Sequence, residues 1–210
     1  MASIPNLIEG YKKFKNEYYE KDYALFEQLV KYGQQPKTLV ISCSDSRVDP
    51  AIVLNTKPGD LFVIRNVANL VPHYENDNTF HGTSAALEFA IRVLKVHNII
   101  ILGHSLCSGI ASLVNKSLIP SATTFLTHWI ELAAPAYKIV NEKYANKSIE
   151  EQTIICGKYA LVNSLKNLDT FPWIKEEINA GNLSTYGWYF DLESGIISSY
   201  DKNTNTFENL

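Results

Sequence analysis

The stretch Thr38-Leu-Val-Ile-Ser-Cys43 decides the fold class, because it is an apolar run, rich in β-branched residues, without polar alternation. Such a run is typical of a strand buried on both faces, as in parallel sheets. Leu61-Phe-Val-Ile64 and the segment 98–103 have the same character. Strands that alternate with helices predict an α/β fold, a mostly parallel central β-sheet flanked by helices and joined by right-handed crossovers.

The predicted helices fill the intervals between these strands. Asp49-Pro50 supplies an N-cap and a first-turn proline, and Thr83 or Ser84 is expected to cap the next helix. Residues 122–145 and 149–168 also have a helical pattern. The inner face of the helix after residue 83 is predicted to consist of apolar side chains at helical spacing: Ala86, Leu87, Ala90, Val93 and Leu94.

The two ends of the chain complete the predicted architecture. Residues 1–35 are expected to form an N-terminal helical arm, packed either on a partner subunit or on its own domain. Residues 185–192 and 196–200 flank a Glu-Ser-Gly turn and predict a C-terminal antiparallel hairpin. Without a visible linker or repeat, we interpret 1–210 as a single domain, with 36–210 as its α/β core.

Composition excludes several classes of protein. The 210 residues contain 19 Lys and Arg against 22 Asp and Glu, a net charge of −3, so no basic excess is present for nucleic-acid binding. No apolar run is long enough to span a bilayer. Three cysteines and no leader-like start favour a reducing compartment, so a cytoplasmic protein is expected, with an organellar mature form as the alternative.

Chemistry-bearing residues follow two of the predicted strands. Cys43-Ser-Asp45-Ser-Arg47 follows the first, and Gly103-His104-Ser-Leu-Cys107 follows the third. Ligand sites of open α/β sheets lie at the carboxyl ends of strands, so these groups are expected to converge. Two thiolates and an imidazole suit Zn²⁺, and three protein ligands leave a fourth position open, as in catalytic zinc sites.

The cysteines allow two other interpretations. Cysteine is often a buried, inert side chain, which is the preferred interpretation of Cys156 and an alternative for Cys43 and Cys107. A cysteine nucleophile with an arginine around a phosphate loop needs five intervening residues, whereas three separate Cys43 from Arg47 and one of them is acidic.

These motifs resemble those of the β-class carbonic anhydrases, in particular the plant-type branch that includes bacterial members. The resemblance rests on Cys43-Ser-Asp-Ser-Arg47, Phe62-Val-Ile-Arg-Asn-Val-Ala-Asn69 and Gly103-His-Ser-Leu-Cys107, in the family's order and at about its spacing, with Gly187-Trp-Tyr-Phe-Asp further on. It implies one Zn²⁺ per chain, held by Cys43, His104 and Cys107.

The resemblance also implies roles for the residues around the metal. Asp45 and Arg47 form a catalytic dyad. The substrate pocket is expected to be lined by Gln34, Phe62, Val67, Phe89 and Gly109. In this branch the residues matching Gln34 and Phe62 reach across from a neighbouring subunit. Self-association to a dimer or a larger assembly is therefore expected, with CO₂ and bicarbonate as the other partners.

The implied activity is the reversible hydration of CO₂ to bicarbonate and a proton by zinc-bound hydroxide, with Asp45 and Arg47 orienting the water. The alternatives are hydrolysis of carbon disulfide or carbonyl sulfide on the same scaffold, and a non-catalytic bicarbonate-binding zinc protein. Three residues depart from the family pattern: Ser108 replaces Gly, Phe89 replaces Tyr, and Val40 replaces a Trp of the bicarbonate-regulated branch. Without that Trp, Asp45 is expected to pair with Arg47 rather than to bind zinc in a closed form.

Overall fold

A computed structural model describes residues 3–77, 79–118 and 123–210. Its central sheet, within those ranges, has six strands in the order β2-β1-β3-β4-β5-β6. The strands are β1 Thr38–Cys43, β2 Leu61–Asn66, β3 Asn98–His104, β4 Ser184–Phe190, β5 Ile197–Asp201 and β6 Thr206–Asn209. The first four are parallel, and β5 and β6 add antiparallel strands at one edge, which confirms the predicted mixed architecture.

Nine α-helices are found in the same ranges: α1 Ile4–Lys13, α2 Tyr23–Tyr32, α3 Pro50–Val53, α4 Gly82–Glu88, α5 Ser108–Val114, α6 Phe125–Ile130, α7 Ala134–Lys143, α8 Ile149–Leu168 and α9 Pro172–Asn179. Asp49 caps α3 as predicted, by accepting a hydrogen bond from the backbone of Ala51. Ser148 and Glu151 form a capping box at the start of α8. Helix α9 and strand β6 were not predicted, and residue 122 of the predicted helix 122–145 lies outside the described ranges.

The core is built on β1 and β3, whose side chains alternate between the two faces of the sheet. Leu39, Ile41, Ile99 and Ile101 are fully buried on one face, where they pack with residues of α4 and α8. On the other face Val40 lies with Ile100 and Leu102 in a smaller cluster. The burial of both faces confirms the interpretation of these two runs as central parallel strands.

Strand β2 was wrongly predicted to be buried on both faces. Among the described residues of this chain it pairs with β1 alone, which makes it an edge strand. Val63 is therefore 39% exposed, and Ile64 is the one buried residue of the strand. The apolar character of a short run does not distinguish a central strand from an edge strand that another surface covers.

The helix after residue 81 also differs from its prediction. Its N-cap position is His81, without a side-chain cap, and the residues predicted to cap it, Thr83 and Ser84, lie inside α4. A π-helical turn at Phe89–Val93 follows α4 directly. Within this turn Ile91 is buried whereas Val93, predicted to face the core, is 62% exposed. Ile91 lies four residues after Leu87 and therefore on the same helix face, whereas Val93 lies off that face.

The chain divides into two compact units, Met1–Gln35 and Pro36–Leu210. In the first, α1 is followed by a π-helical segment Phe14–Tyr19 and by α2, so the prediction of an N-terminal helical arm is confirmed. None of these three segments has a buried residue. Apolar side chains at helical spacing remain exposed along α1, namely Ile4, Leu7, Ile8 and Tyr11.

Candidate metal centre

The candidate metal centre lies at the carboxyl ends of β1 and β3. Cys43 is the last residue of β1, His104 is the last residue of β3, and Cys107 occupies the N-cap position of α5. The two sulfurs are 3.8 Å apart. The ligand atoms of all three residues lie within 4.8 Å of one another, and each residue is buried. The predicted convergence of the two motifs is therefore observed.

The imidazole of His104 is oriented with one nitrogen towards this cluster. Its Nδ1 lies 2.8 Å from the carbonyl oxygen of Ser105, so Nδ1 carries the proton and donates it. Its Nε2 is buried and has no hydrogen-bond partner in the part of the chain that the structure describes. A buried, unpartnered nitrogen beside two thiols is the observation expected of a metal ligand, because burying such an atom without a partner is otherwise unfavourable.

The two thiols influence each other strongly. The contact between the sulfurs lowers the pKa of Cys43 to about 4, with smaller contributions from His104 and from backbone N–H groups. The same contact, together with burial, raises the pKa of Cys107. The opposite directions of the two shifts follow from the repulsion between adjacent thiolates, which a divalent cation bound by both sulfurs would offset.

Asp45 and Arg47 form a bidentate ion pair next to the cysteines. Arg47 Nε lies 2.9 Å from Asp45 Oδ1, and Nη2 lies 2.8 Å from Oδ2. Arg47 holds the pKa of Asp45 well below its usual range, so the carboxyl group is ionised at neutral pH. Because Asp45 N also donates to Cys43 Sγ at 3.4 Å, the dyad and the metal ligands share one loop.

Arg65 braces this loop, a role that sequence reasoning missed. Its Nε donates to Cys43 O at 2.9 Å and its Nη2 donates to Asp45 O at 2.7 Å. Its Nη1 pairs with Asp49 at 3.0 Å. One guanidinium thus connects the end of β2 to three points of the turn after β1. The available signal was a charged residue directly after the apolar run 61–64; in the structure its register partner is Ser42, the residue before Cys43.

The segment after β2 brings Val67 and Ala68 against the start of α5. The side-chain amide of Asn66 closes this turn by donating to Leu70 O and accepting from Leu70 N. Within the turn, Ala68 has a positive φ of 64°. A Cβ on Gly109 would lie 2.7 Å from Val67 Cγ1 and 3.2 Å from Ala68 Cβ, so this close approach requires glycine. Trp129 Nε1 holds the segment from outside by donating to Val67 O at 2.7 Å.

The other predicted pocket residues lie elsewhere in this chain. Phe62 and Phe89 pack on each other with ring centroids 5.8 Å apart. Phe62 is in register with Leu39, four residues before Cys43, so about 13 Å of strand separates it from the level of the ligands. Gln34 is an exposed residue of the N-terminal unit. Within one chain, Val67 and Gly109 thus lie near the two metal-site cysteines, whereas Phe62 lies one strand length away from them.

A second group with metal-ligand atoms consists of Glu75, Asp77 and His81. His81 Nε2 lies 2.7 Å from Asp77 Oδ1 and 2.8 Å from Thr79 Oγ1. The two carboxylates are exposed, and the imidazole has partners of its own. This group therefore has the properties of an ordinary surface hydrogen-bond network.

The fold and the buried Cys₂His cluster define a class: an α/β protein with a candidate metal site at the strand ends. Residues 38–197 match the family model described as carbonic anhydrase. The chain is 37% identical over 209 residues to "Beta carbonic anhydrase 3" of Arabidopsis thaliana, a match that spans 98% of this chain and 80% of that protein. The chain belongs to the β-class carbonic anhydrase family, and its enzyme class is that of a carbonic anhydrase.

Solved structures agree with this assignment. The structure of the β-carbonic anhydrase CcaA superposes with a TM-score of 0.93 at 34% identity and covers 100% of both chains. One of two tetrameric β-carbonic anhydrases from the ascomycete Sordaria macrospora gives a TM-score of 0.75 at 30% identity, over 93% of this chain and 92% of that one. These matches confirm the predicted fold class.

The helices of the described ranges include none that combines the length and the apolar character needed to cross a membrane.

Proposed function

We propose that this protein is a zinc-dependent enzyme that catalyses the reversible hydration of CO₂ to bicarbonate and a proton. The observation that carries the proposal is the buried cluster of two thiols and one imidazole; the Nε2 of that imidazole has no hydrogen-bond partner among the described residues. Membership of the carbonic anhydrase family supports CO₂ and bicarbonate as substrates.

The donor set fits Zn²⁺. Thiolate and imidazole ligands select a borderline-soft cation, whereas magnesium and calcium prefer oxygen ligands. Cys43, His104 and Cys107 would hold the ion and leave one position for a non-protein ligand, as catalytic zinc sites do. When bound, zinc supplies a hydroxide nucleophile near neutral pH by acidifying water. Because the two thiolates offset the charge of the ion, we expect activity to rise towards alkaline pH.

Asp45 is the residue that orients the nucleophile in this proposal. Its carboxylate is a hydrogen-bond acceptor alone, since Arg47 keeps it ionised. A water molecule that donates one hydrogen to Asp45 has its lone pair turned away from that carboxylate and towards the substrate. Arg47 does not contact the substrate. It fixes the position and charge of Asp45 through two parallel hydrogen bonds.

The substrate pocket combines residues of two copies of the chain. Val67 and Gly109 provide an apolar wall near the ligands of the same chain. Phe62 lies too far along β2 to reach those ligands within one chain, which supports the proposal that it acts in the site of a neighbouring subunit. Gln34 and Phe89 are assigned to the same shared pocket, with the Gln34 amide donating to an oxygen of CO₂ or bicarbonate.

The residue at position 40 supports a form of the site in which Asp45 pairs with Arg47 and does not bind the metal. Val40 is fully buried beside Ile100 and Leu102, and it has no polar group with which to bind an anion. Both oxygens of Asp45 are engaged by Arg47. We therefore propose that bicarbonate acts as an ordinary product inhibitor, without sigmoidal kinetics.

The compartment is a separate proposal. Cys43, Cys107 and Cys156 are buried free thiols, which supports a reducing compartment such as the cytoplasm.

A stopped-flow CO₂ hydration assay on protein of measured zinc content tests the proposed function. We expect activity proportional to bound zinc, lost with a chelator and restored by added zinc. Parallel assays with carbonyl sulfide and carbon disulfide distinguish the alternative hydrolase, which would prefer those substrates. Zinc-loaded protein that binds bicarbonate but hydrates CO₂ no faster than buffer would favour the non-catalytic alternative.

A further inference from the structure

The orientation of His104 depends on the backbone of the next residue. The acceptor for Nδ1 is the carbonyl of Ser105, at 2.8 Å. That carbonyl belongs to the peptide that leads into Leu106, whose φ is 56°. A left-handed leucine is unfavourable by about 1 kcal/mol, so this peptide keeps its orientation because surrounding contacts hold it.

Ser105 is held by three hydrogen bonds to the last residue of β4 and to the two residues that follow it. Its N–H donates to Phe190 O at 2.9 Å. Its hydroxyl donates to Asp191 Oδ1 at 2.9 Å and accepts from Leu192 N at 2.8 Å. Ser105 itself is 2% exposed, whereas Asp191 and Leu192 are half-buried. Ser105 therefore connects the metal-ligand loop to the end of β4.

Asp191 is in turn fixed within a tight turn. Its Oδ1 accepts from Glu193 N at 3.2 Å and its Oδ2 accepts from Ser194 Oγ at 2.8 Å. The backbone closes the turn through Asp191 N to Ile196 O at 2.8 Å and Gly195 N to Asp191 O at 2.9 Å. The carboxylate is thus presented to Ser105 in one orientation.

We propose that Asp191 is a positioning residue of the metal centre, which acts through the Ser105 hydroxyl to orient the His104 imidazole. The inference depends on the proposed function for the identity of the metal. It assigns a role to the final residue of Gly187-Trp-Tyr-Phe-Asp191, a motif that the ligand set and the dyad leave without one. Partners of metal-bound histidines keep the ring in one tautomer and orientation, and their loss commonly weakens metal binding about 10-fold to 100-fold.

A purely structural role for Asp191 in its own turn is the competing explanation. A substitution of Ser194 distinguishes the two explanations. The Ser194 hydroxyl donates to Asp191 Oδ2, the carboxylate oxygen that does not bind Ser105, and Ser194 has no hydrogen bond to Ser105 in the structure. Ser194→Ala perturbs the turn while it leaves the Asp191–Ser105 bond in place. Asp191→Asn keeps an acceptor oxygen for Ser105 and removes the charge.

The test measures zinc affinity by chelator competition in Ser105→Ala, Asp191→Ala, Asp191→Asn and Ser194→Ala. We expect a dissociation constant raised about 10-fold in the first two variants, with little change in the others. The double variant Ser105→Ala/Asp191→Ala should lose no more zinc affinity than the weaker-binding single variant, because the bond proposed to act on His104 is already absent from each single variant. In cobalt-substituted protein, the d–d absorption bands should shift in the two alanine variants alone.

Wild-type zinc affinity in folded Ser105→Ala and Asp191→Ala would overturn the inference, as would an equal loss in Ser194→Ala or additive losses in the double variant. If Asp191→Ala does not fold, Ser105→Ala decides the question, since it deletes one oxygen. These measurements do not use CO₂. A wild-type chain that binds no zinc would refute the proposed function, whereas one that binds zinc in the same way as its variants would refute this inference alone.

Discussion

The Arg47 guanidinium donates to both carboxylate oxygens of Asp45, through Nε at 2.9 Å and Nη2 at 2.8 Å, and the Arg47 backbone N–H donates a third hydrogen bond at 3.0 Å. The Asp45 side chain is 13% exposed, whereas that of Arg47 is 47% exposed. The Asp45 carboxylate is thus shielded from solvent next to the metal ligands, and the Arg47 guanidinium covers it. Arg47 Nη2 also donates to Leu106 O at 3.0 Å, which links the dyad to the loop between His104 and Cys107.

Replacement of Arg47 should separate catalysis from metal binding. In Arg47→Ala the carboxylate of Asp45 loses its partner, and we expect kcat/KM for CO₂ hydration to fall about 100-fold. Zinc content, measured by mass spectrometry of the purified protein, should stay near one ion per chain. Arg47→Lys is the matched variant: it keeps the charge but not the two-pronged geometry, so its activity should be intermediate. An active Arg47→Ala enzyme would contradict the proposed role of the dyad.

The three cysteines should respond differently to the same substitution. Cys107→Ser replaces a buried thiol of the cluster and should lose zinc and activity together, because the hydroxyl is a poor zinc ligand. Cys156→Ser is the control, since Cys156 is equally buried but lies in α8, where a hydroxyl can donate to the preceding helical turn. It should keep both properties. Full zinc occupancy in Cys107→Ser would refute the ligand assignment.

An added methyl group at Gly109 should disturb the pocket wall. The new Cβ would lie 2.7 Å from Val67 Cγ1, so Val67 and Ala68 must shift, and we expect a stability loss of about 1–3 kcal/mol with reduced kcat/KM. Gly82→Ala is the control in α4, because no atom lies within 4 Å of the corresponding Cβ. Thermal unfolding and CO₂ hydration should show no loss there. Equal unfolding temperatures and equal activities of the two variants would contradict this prediction, because they would show that Val67 and Ala68 move aside without loss of stability.

The capping box of α8 predicts a pH-dependent contribution to stability. The hydrogen bond from Lys147, then those from Ser148, lower the pKa of Glu151 to about 2 in the folded chain, from 4.5. A lowered folded-state pKa means that the ionised group stabilises the fold above about pH 5, and that this contribution is lost as the pH falls towards 2.

Glu151→Gln tests this contribution, since glutamine also serves in a capping box. We expect its Tm to lie below that of wild type at pH 7 and the gap to close between pH 5 and pH 2. Glu150→Gln, in the same first turn, should show a smaller gap. A constant difference between wild type and Glu151→Gln at all pH values would exclude ionisation as its cause.

Activity should depend on assembly, because Phe62 is remote from the ligands of its own chain. We expect specific activity to fall on dilution below the dimer dissociation constant, in step with the sedimentation coefficient. Phe62→Ala should lower kcat/KM without loss of zinc. A fully active monomer in analytical ultracentrifugation at assay concentration would contradict the shared pocket.

The sequence was sufficient for the parts of the molecule that local pattern controls. Thr38–Cys43 and Asn98–His104 are strands because consecutive β-branched, apolar residues favour a sheet with both faces buried. The motifs that follow them predicted the Cys43, His104 and Cys107 cluster, since the carboxyl ends of parallel strands meet at one edge. These predictions needed residue type and spacing alone.

The tertiary structure decided what depends on long-range contacts. Arg65 braces the turn after β1 from a neighbouring strand, and Ser105 joins Asp191 across 86 positions of the chain. Neither link leaves a periodic signal in the sequence. The edge position of β2 likewise depends on strand order. The sequence by itself determined which residues carry the chemistry; the packing of distant segments determined how they are held, because a hydrogen bond requires a particular distance and angle that spacing along a chain does not specify.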